Sequence, residues 1–387
     1  MQKEDNWMIY SRACPFLASI KERYRLNKSE SLKNTQHIVL DIRNSGIEYK
    51  IGDSVGILPS NDPKIVERTI KAMRANEDEI VVNRRTGEKS SLGRFLLHKA
   101  NISDIDKGLF RKVLERQSDL EKKRKLEDLL LSKDKTVWKE YMKNRELWDF
   151  LEENAEAELS SQEICDYQRS LLPRLYSIAS SMKIVGEEIH LTIAKIEYES
   201  NGRMRYGVAT NYLCSIALLN DPCIPIYIQP SNGFTLPKES NRPIIMVGPG
   251  TGIAPFCGFM QERMSMTSRN ENWLFFGEWN RSYDFLYEDF FLDLEKKGKL
   301  RLDLAFSRDQ EKKIYVQHKM KEKAKDVWRW LENGAYFYVC GDARDMAKSV
   351  DLTLHDIIEK EGNMSSDKAK FFIQKMKEEK RYLRDVY

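Results

Sequence analysis

The sequence predicts two kinds of β-structure: a β-domain interrupted by a helical insertion, followed by an α/β domain with a parallel sheet. Three observations support this prediction. Short β-prone runs occur in residues 10–60 and again in 170–236, charged helix-like sequence fills 62–165, and strands alternate with helices over 240–387. Because repeated strand–helix alternation is typical of a parallel sheet, we expect the last region to form one that is covered on both faces.

The β-domain is predicted from two separate groups of strand-like runs. The first contains HIVLDI (37–42), which is rich in β-branched residues, and YKIGDSVGILPSNDP (49–63), which is punctuated by turn residues. The second contains RLYSIAS (174–180), EEIHLTIAKIEY (187–198) and CIPIYIQ (223–229). Since the β signal stops near residue 60 and returns near residue 170, we expect one discontinuous β-domain rather than two.

The insertion and the C-terminal region differ in their periodicity. Residues 112–150 place apolar side chains three and four positions apart among charges, which predicts amphipathic helices. The C-terminal region instead shows short apolar runs followed by helical stretches, with two more helices after the last run. Its predicted strands are PIIMVG (243–248), NWLFFG (272–277), LRLDLAFS (300–307) and AYFYVCGD (335–342).

Composition limits the possible classes of function. The chain has 387 residues, so two or three domains are expected, and its 64 basic and 60 acidic residues leave a net charge of only +4, which does not favour nucleic-acid binding. The six cysteines form no CxxC pair, so a reducing, cytoplasmic setting is expected. The five histidines are isolated, which predicts no metal site. The N-terminus lacks the apolar core of a signal peptide, and no membrane span is expected.

A glycine-rich turn follows the first predicted strand of the α/β domain. Gly248, Gly250 and Gly252 come directly before a predicted helix start, and Thr251 adds a hydroxyl. Glycines let the backbone approach a ligand closely, and a helix N-terminus favours a pyrophosphate. The alternative is a tight strand–helix connection without a ligand, since the spacing differs from the usual dinucleotide fingerprint.

A basic cluster follows the third predicted strand of the same domain. Ser307, Arg308, Lys313, Tyr315 and Gln317 lie after a strand end, where open α/β sheets bind ligands. No acidic residue stands at that strand end to favour a free ribose hydroxyl, so a 2′-phosphate, and hence NADP(H), is expected. The alternative is a solvated loop.

Two segments of the β-domain are further candidates for cofactor contacts. In RLYSIASS, Arg174 would neutralise a pyrophosphate and Tyr176 would stack on a flat ring, with Leu175 and Ser177 pointing to the opposite side. In YGVATNYLC, Gly207 and Thr210 precede a helix and form a second candidate anion site. The alternative is an edge strand with ordinary surface polar groups.

These motifs occur in the same order in one family. RLYSIASS, MVGPGTGIAPF, NWLFFG, DFLY, AFSRDQ, KIYVQ, YVCGDA and RDVY resemble the FAD- and NADPH-binding reductase module of the diflavin reductases. Within that family the chain is most similar to the flavoproteins of NADPH-dependent sulfite reductase. The resemblance runs from YSRACPFLAS (10–19) to the final tyrosine.

The resemblance implies a ferredoxin–NADP reductase-like architecture. Residues 1–61 and 166–236 would form a β-barrel FAD domain, 62–165 a helical connecting insertion, and 237–387 an α/β NADP-binding domain. Family members of full length also carry an N-terminal FMN domain, for which this sequence has no counterpart. Electrons would therefore leave FAD for a separate redox partner protein, either an FMN or flavodoxin-like protein or a sulfite reductase haemoprotein.

The resemblance also implies which residues contact each cofactor. The FAD contacts would be Arg174, Leu175, Tyr176, Ser177, Thr192, Ile193, Ala194, Tyr198, Gly207, Val208, Ala209, Thr210 and Tyr387. The NADPH contacts would be Gly250, Thr251, Ser307, Arg308, Lys313, Ile314, Tyr315, Val316 and Gln317.

The implied reaction is hydride transfer from C4 of NADPH to N5 of FAD, with electrons then released singly. Ser177 would hydrogen-bond the flavin near N5, Cys340 would lie near the nicotinamide, and Asp385 would stabilise positive charge on that ring. Tyr387 would stack on the flavin as a movable lid. The alternatives are a packing role for Cys340, a solvated Asp385 and a frayed chain end.

Two positions depart from the family pattern. Val208 follows Gly207 where the family usually has a second glycine, and Ser349 stands where it often has an acidic residue. Three functions stay open: a reductase serving a separate FMN or haem protein, a stand-alone reductase or diaphorase for flavodoxin, ferredoxin or small acceptors, and a non-catalytic interaction subunit.

Overall fold

The computed structural model describes residues 10–143, 145–266 and 271–387, so the expectation about the N-terminus falls partly on residues 1–9, outside the described part. The described chain begins with β-strands. The first three are β1 (Phe16–Arg25), β2 (Thr35–Asp41) and β3 (Ser54–Ile57).

The predicted insertion is mainly helical. Its elements are α1 (Pro63–Ala72), β4 (Ile80–Val82), β5 (Lys89–Ser91), α2 (Leu92–His98), α3 (Lys107–Arg116), α4 (Leu120–Leu131), α5 (Lys135–Lys143), α6 (Leu147–Glu153), a 3-10 turn (Ala155–Ala157) and α7 (Ser161–Tyr167). Asp62 caps α1 by accepting from the Lys64 N–H, and Ser160 and Glu163 form a capping box on α7. The hairpin of β4 and β5 was not anticipated in this region.

Strand structure resumes after the insertion, as predicted. The elements are β6 (Arg174–Ser177), α8 (Met182–Val185), β7 (Glu188–Ala194), β8 (Glu197–Ser200), β9 (Arg203–Tyr206), α9 (Val208–Asn211), a π-helical turn (Tyr212–Ile216) and β10 (Ile224–Gln229). The run 187–198, read as one strand from sequence, is divided between β7 and β8.

The C-terminal region alternates strands and helices, as predicted. Its elements are β11 (Ile244–Val247), a 3-10 turn (Gly250–Ile253), α10 (Ala254–Met264), β12 (Asn272–Glu278), α11 (Arg281–Asp284), α12 (Glu288–Lys296), β13 (Arg301–Phe306), α13 (Val316–Glu322), α14 (Ala324–Glu332), β14 (Tyr336–Gly341), α15 (Met346–Glu361), α16 (Ser366–Glu378) and β15 (Tyr382–Val386).

Two large sheets organise these strands. One has six strands in the order β6-β3-β10-β1-β2-β7, and the β10–β1, β1–β2 and β2–β7 pairs are antiparallel. The other has five strands in the order β13-β12-β11-β14-β15, all paired in parallel. The antiparallel sheet and the parallel α/β sheet confirm the predicted fold class.

The parallel sheet is covered on both faces, as expected from its continuous apolar strands. In β11, Ile245 and Val247 belong to one hydrophobic core, while Ile244 and Met246 belong to another. The neighbouring β12 alternates in the same way. This arrangement leaves the carboxyl edge of the sheet as the place where loops converge.

The chain divides into two compact units. The first unit comprises the described residues of Met1–Gly56 with Leu175–Ala194 and Leu218–Tyr387, and the second comprises Ile57–Arg174 and Lys195–Ala217. The second unit has its own core, in which Phe110 and Phe150 stack with ring centroids 5.6 Å apart. The predicted domain boundaries stay a prediction. In the part of the chain that the structure describes, every helix is too short or too polar to serve as a membrane span.

Candidate functional site

The glycine-rich turn after β11 lies at the carboxyl edge of the parallel sheet. A Cβ placed on Gly252 would stand 2.1 Å from the backbone oxygen of Cys340, so only glycine lets the turn pack this closely against β14. Gly250 has a φ of +59°, which also favours glycine. The turn therefore exposes bare backbone at the edge of the sheet.

A pocket of about 430 Å³ opens beside this turn. Five of the residues predicted for NADPH line it: Gly250, Ser307, Tyr315, Val316 and Gln317. Ser349, where the family pattern is broken, also lines the pocket, as do Asp342 and Asp345. The size is in the range of small-molecule sites in proteins.

The other residues predicted for NADPH do not line the pocket. Thr251 shares a hydrogen bond of 3.0 Å with the hydroxyl of Tyr387. The guanidinium of Arg308 lies 3.3 Å from the centroid of the Trp279 ring, and Ile314 packs against the core. Lys313 is exposed to solvent.

Lys33, Glu278 and Trp279 are among the pocket residues that were not predicted from the sequence. Glu278 and Trp279 lie at the end of β12, so the rule that ligands bind at carboxyl ends of strands would have pointed to them. Lys33 comes from the connection between β1 and β2, and no local sequence signal marks it. Glu278 also shows that an acidic residue does stand at a neighbouring strand end, although Lys33 is paired with it.

The three residues predicted for catalysis lie together in the first unit. The Ser177 hydroxyl donates a 2.6 Å hydrogen bond to Asp385 Oδ2, and the Cys340 thiol donates a long one of 3.9 Å to the same oxygen. Cys340 and Asp385 are paired across β14 and β15, which places their side chains side by side. Burial, and then the nearby Asp385 carboxylate, raise the pKa of Cys340 well above its ordinary value, so its thiol is neutral.

The terminal Tyr387 is anchored although it ends the chain. Its N–H donates to the Gly341 carbonyl at 3.1 Å, and its carbonyl accepts from the Ala343 N–H at the same distance. The residue is nevertheless 63% exposed. An exposed ring on an anchored backbone is the arrangement expected of a side chain that covers a ligand.

The residues predicted for FAD in the first unit are of two kinds. Leu175 is 55% exposed, and Ala194 is also exposed. Thr192 and Ile193 are buried, and the Thr192 hydroxyl shares a 2.6 Å hydrogen bond with Tyr287. The exposed members offer contact surface, whereas the buried ones support the strand beneath it.

Four of the residues predicted for FAD in the second unit, Gly207 to Thr210, form one short turn. The Thr210 hydroxyl donates to the Gly207 carbonyl at 3.1 Å and accepts from the Ile196 N–H at 3.2 Å. A Cβ on Gly207 would lie 2.9 Å from Thr210 Oγ1, so the turn needs glycine there. Tyr198 is largely exposed, Val208 is half-buried and Ala209 is buried, while Arg174 is exposed on β6. These assignments stay predictions.

Comparisons with known proteins agree with the cofactors inferred. A family model described as "FAD binding domain" matches residues 10–212, and one described as "Oxidoreductase NAD-binding domain" matches residues 246–351. The matches confirm the prediction of an FAD-binding domain followed by a nicotinamide-nucleotide domain.

Several curated relatives carry one name. The chain is 41% identical over 379 residues to the "Sulfite reductase [NADPH] flavoprotein alpha-component" of Bacillus subtilis (strain 168), covering 98% of this chain and 62% of the relative. It is 40% identical over 380 residues to the protein of that name from Vibrio cholerae serotype O1 (strain ATCC 39315 / El Tor Inaba N16961), with 98% and 60% covered. The chain thus spans about three fifths of the length of these relatives.

Proposed function

The chain belongs to the FAD binding domain family, and we propose that it is an NADPH-dependent flavoprotein oxidoreductase that passes electrons to a separate acceptor protein. The observation that carries the proposal is the grouping of Ser177, Cys340 and Asp385 at the carboxyl edge of the parallel sheet. When bound, FAD would supply the chemistry of accepting two electrons from NADPH and releasing them one at a time.

The pocket beside the glycine-rich turn fits a nicotinamide nucleotide. At Gly250 the turn presents backbone without a side chain to the pocket, and Ser307 and Gln317 line the pocket with polar side chains. Lys33 brings a positive charge to the same pocket. We assign NADPH rather than NADH to it because Arg308 and Lys313, although they do not line the pocket, follow β13 in the same segment as the pocket residue Tyr315, where they would meet a 2′-phosphate.

Two sets of residues are candidates for FAD contacts. In the first unit, Tyr176 and the terminal Tyr387 offer aromatic surface for a flat ring, while Leu175 is exposed on the opposite side of β6. In the second unit, the exposed Tyr198 and the turn at Gly207 are the candidates.

The catalytic contribution of the chain lies in positioning. Asp385 accepts a hydrogen bond from the Ser177 hydroxyl, so it fixes the direction of that hydroxyl. The neutral Cys340 thiol adds bulk without charge. A carboxylate at this edge would favour a nicotinamide ring that carries positive charge, since opposite charges attract strongly where water is scarce.

The acceptor is proposed from the relatives' name. A sulfite reductase flavoprotein serves sulfite reduction, so the acceptor would be an FMN or flavodoxin-like protein or a sulfite reductase haemoprotein. A stand-alone reductase or diaphorase is the second candidate. Anaerobic reduction of the FAD-loaded protein by NADPH, followed by a screen of these acceptors, separates the two.

A double variant tests the catalytic assignment. Ser177→Ala with Asp385→Asn should slow flavin reduction by NADPH at least about a hundredfold, since loss of one preorganised donor already costs that much in other enzymes. FAD content should stay unchanged. Stopped-flow absorbance of the flavin measures the rate, and Asp367→Asn, an exposed charge on α16, is the control. Reduction at the wild-type rate in the double variant would remove the assignment.

A protein that purifies without FAD and cannot be reconstituted with it would contradict the proposed function itself. It would favour the non-catalytic interaction subunit, because that alternative needs the fold but not the cofactor.

A further inference from the structure

Glu278 places a buried carboxylate in the nucleotide pocket. Its side chain is only 2% exposed, and its two oxygens lie 2.5 and 2.7 Å from the Lys33 ammonium. The Trp279 N–H donates a further hydrogen bond of 2.7 Å to Glu278 Oε2. A carboxylate this well buried is held by its partners rather than by water.

The same carboxylate lies against the glycine-rich turn. A Cβ built on Gly250 would stand 3.5 Å from Glu278 Oε1, with no other neighbour within 4 Å. Glycine-rich turns of this type receive phosphate groups because their backbone leaves room for an anion. Here the anion next to the turn is a side chain of the protein.

Acidic side chains outnumber basic ones among the residues that line the pocket. Among the described residues that line it, Lys33 is the one cationic side chain, while Glu278, Asp342 and Asp345 are acidic. Asp342 already accepts the N–H groups of Asp345 and Met346 at 2.7 and 3.1 Å, which lower its pKa. Glu278, and not Asp342, is the carboxylate that is paired with Lys33.

Lys33 is held in place by a fixed loop. The loop between β1 and β2 is anchored by Asn27, whose amide donates to Asp284 Oδ1 at 2.8 Å, and by Ser31, whose hydroxyl donates to the same oxygen. Asp284 is fully buried. The Lys33 ammonium also lies 4.7 Å from the centroid of the Trp279 ring. With its backbone fixed, Lys33 can exchange partners only by moving its side chain.

We propose that Glu278 competes with the nucleotide for Lys33. Glu278 is paired with the Lys33 ammonium beside the glycine-rich turn, and this ion pair must break when a nucleotide phosphate binds to Lys33. The proposal rests on the proposed function and adds a residue that sets coenzyme affinity. Glu278 then weakens NADP⁺ and NADPH binding, and raises the coenzyme KM, without touching the reacting atoms.

The physical reason is the cost of an unpaired buried charge. Burial raises the pKa of Glu278, and the Lys33 charge and hydrogen bonds oppose that rise. When Lys33 turns to a phosphate, Glu278 loses the partner that compensates its burial. Nucleotide binding must supply this free energy, so part of its affinity is lost.

The first test removes the charge and keeps the shape. Glu278→Gln in the FAD-loaded protein should lower the dissociation constant of NADP⁺ at least about fivefold, the lower end of typical coupling between two competing sites. Isothermal titration calorimetry measures it, with thermal unfolding as the check on folding. Glu359→Gln, exposed on α15 ten residues beyond Ser349, is the control for net charge. Glu278→Ala is the second variant if the amide is not tolerated.

The second test asks whether Glu278 acts through Lys33. In a Lys33→Gln background, adding Glu278→Gln should change the NADP⁺ dissociation constant less than about twofold, because no lysine is left to release. If Glu278→Gln lowers the NADP⁺ dissociation constant as much in this background as in the protein that keeps Lys33, Glu278 simply repels the nucleotide. That result would overturn the proposed competition.

The two proposals fail differently. If NADP⁺ binds the wild-type protein and the Glu278 variants equally, the competition is wrong and the proposed function stands. If NADP⁺ binds none of these proteins, both are wrong.

Discussion

Two buried ion pairs in the molecule use similar chemistry in opposite surroundings. In the second unit, Arg205 donates to Glu146 at 2.7 Å and to both oxygens of Asp149 at 2.8 and 2.9 Å, and its side chain is only 4% exposed. In the first unit, Lys33 meets Glu278, but the Lys33 side chain is 29% exposed. The guanidinium is enclosed by fixed partners, whereas the ammonium opens into a pocket.

The two sites differ in how many hydrogen bonds the acidic residues accept from groups other than the cation. Glu146 also accepts the Trp148 indole N–H at 2.8 Å, and Asp149 accepts the Glu146 N–H at 2.9 Å. The Arg68 guanidinium lies 3.6 Å from the centroid of the buried Trp148 ring. An enclosed, fully bonded network holds a fold, while a pair open on one side can exchange a partner for a ligand.

The largest effect is expected where the enclosed pair is broken. Arg205→Leu should lower the free energy of unfolding by about 3–5 kcal/mol, because it leaves Glu146 buried without its cation and Asp149 with only the 3.3 Å contact of Arg203. Urea unfolding followed by tryptophan fluorescence measures the change. Arg203→Leu is the matched control, since Arg203 is more exposed and makes one contact of 3.3 Å with Asp149; it should cost less than about 1 kcal/mol.

Equal losses in the two arginine variants would contradict the distinction between enclosed and open ion pairs. The Glu278→Gln variant completes the comparison, because it should change nucleotide affinity while Arg205→Leu should act through stability.

The sequence predicted the strands well and the ion pairs not at all. β11 and β12 are continuous apolar runs, which mark strands buried on both faces, and their predicted bounds differ from the observed ones by one residue at most at either end. The Lys33–Glu278 pair joins residues 245 positions apart, so no local pattern reports it. The periodicity of a segment indicates which of its side chains are buried, but it does not indicate which other segment they contact.

Short elements were missed for a related reason. β4 and β5 have three residues each, too few for an alternation to stand out among charged neighbours. β7 and β8 were joined because no glycine or proline marks the break at Lys195. In the candidate site, motif residues such as Ser177 and Asp385 were found through a family resemblance, whereas Glu278 needed the three-dimensional arrangement.

A third network, in the first unit, is built around the buried ring of His37. The His37 ring meets the Tyr287 hydroxyl at 3.0 Å and His190 Nδ1 at 3.2 Å, and Tyr24 stacks on it with centroids 5.0 Å apart. His190 in turn meets Glu188, which is paired with Lys21. Burial, and then His190, lower the pKa of His37 to about 4.

This network should make stability depend on pH. An unfolded histidine titrates near 6.5, so between about pH 6.5 and about pH 4 the unfolded state binds the proton that folded His37 does not. Stability must therefore fall as the pH falls through that window. We expect His37 to account for about 2 kcal/mol of loss between pH 7 and pH 5.

The measurement is the difference in unfolding free energy between pH 7 and pH 5, compared in wild-type protein and in His37→Gln. The variant should lose less on acidification, while His355→Gln, on the surface helix α15, should behave like the wild type. An unchanged pH dependence in His37→Gln would mean that His37 does not stay neutral in the fold.

The smallest effect on stability is expected at the open end of the site, where Tyr387 bonds Thr251. Deleting Tyr387 should lower the free energy of unfolding by about 1 kcal/mol, since it removes an exposed side chain and two backbone hydrogen bonds at the end of β15. It should nevertheless alter coenzyme choice, because a ring that covers the flavin has to be displaced by the nicotinamide. NADH lacks the 2′-phosphate and so has less binding energy for that displacement.

The two coenzymes are compared at one concentration, at which NADPH saturates the protein and NADH does not. The deletion should then raise the rate with NADH and leave the rate with NADPH nearly unchanged. Steady-state reduction of a small electron acceptor measures both rates, and the flavin absorbance spectrum should shift as its face becomes exposed. Tyr387→Phe keeps the ring and removes only the hydroxyl bonded to Thr251, so it should retain the wild-type preference. If deletion and Tyr387→Phe both leave rates and spectrum unchanged, the ring covers nothing, and the exposed end of β15 is an ordinary chain terminus.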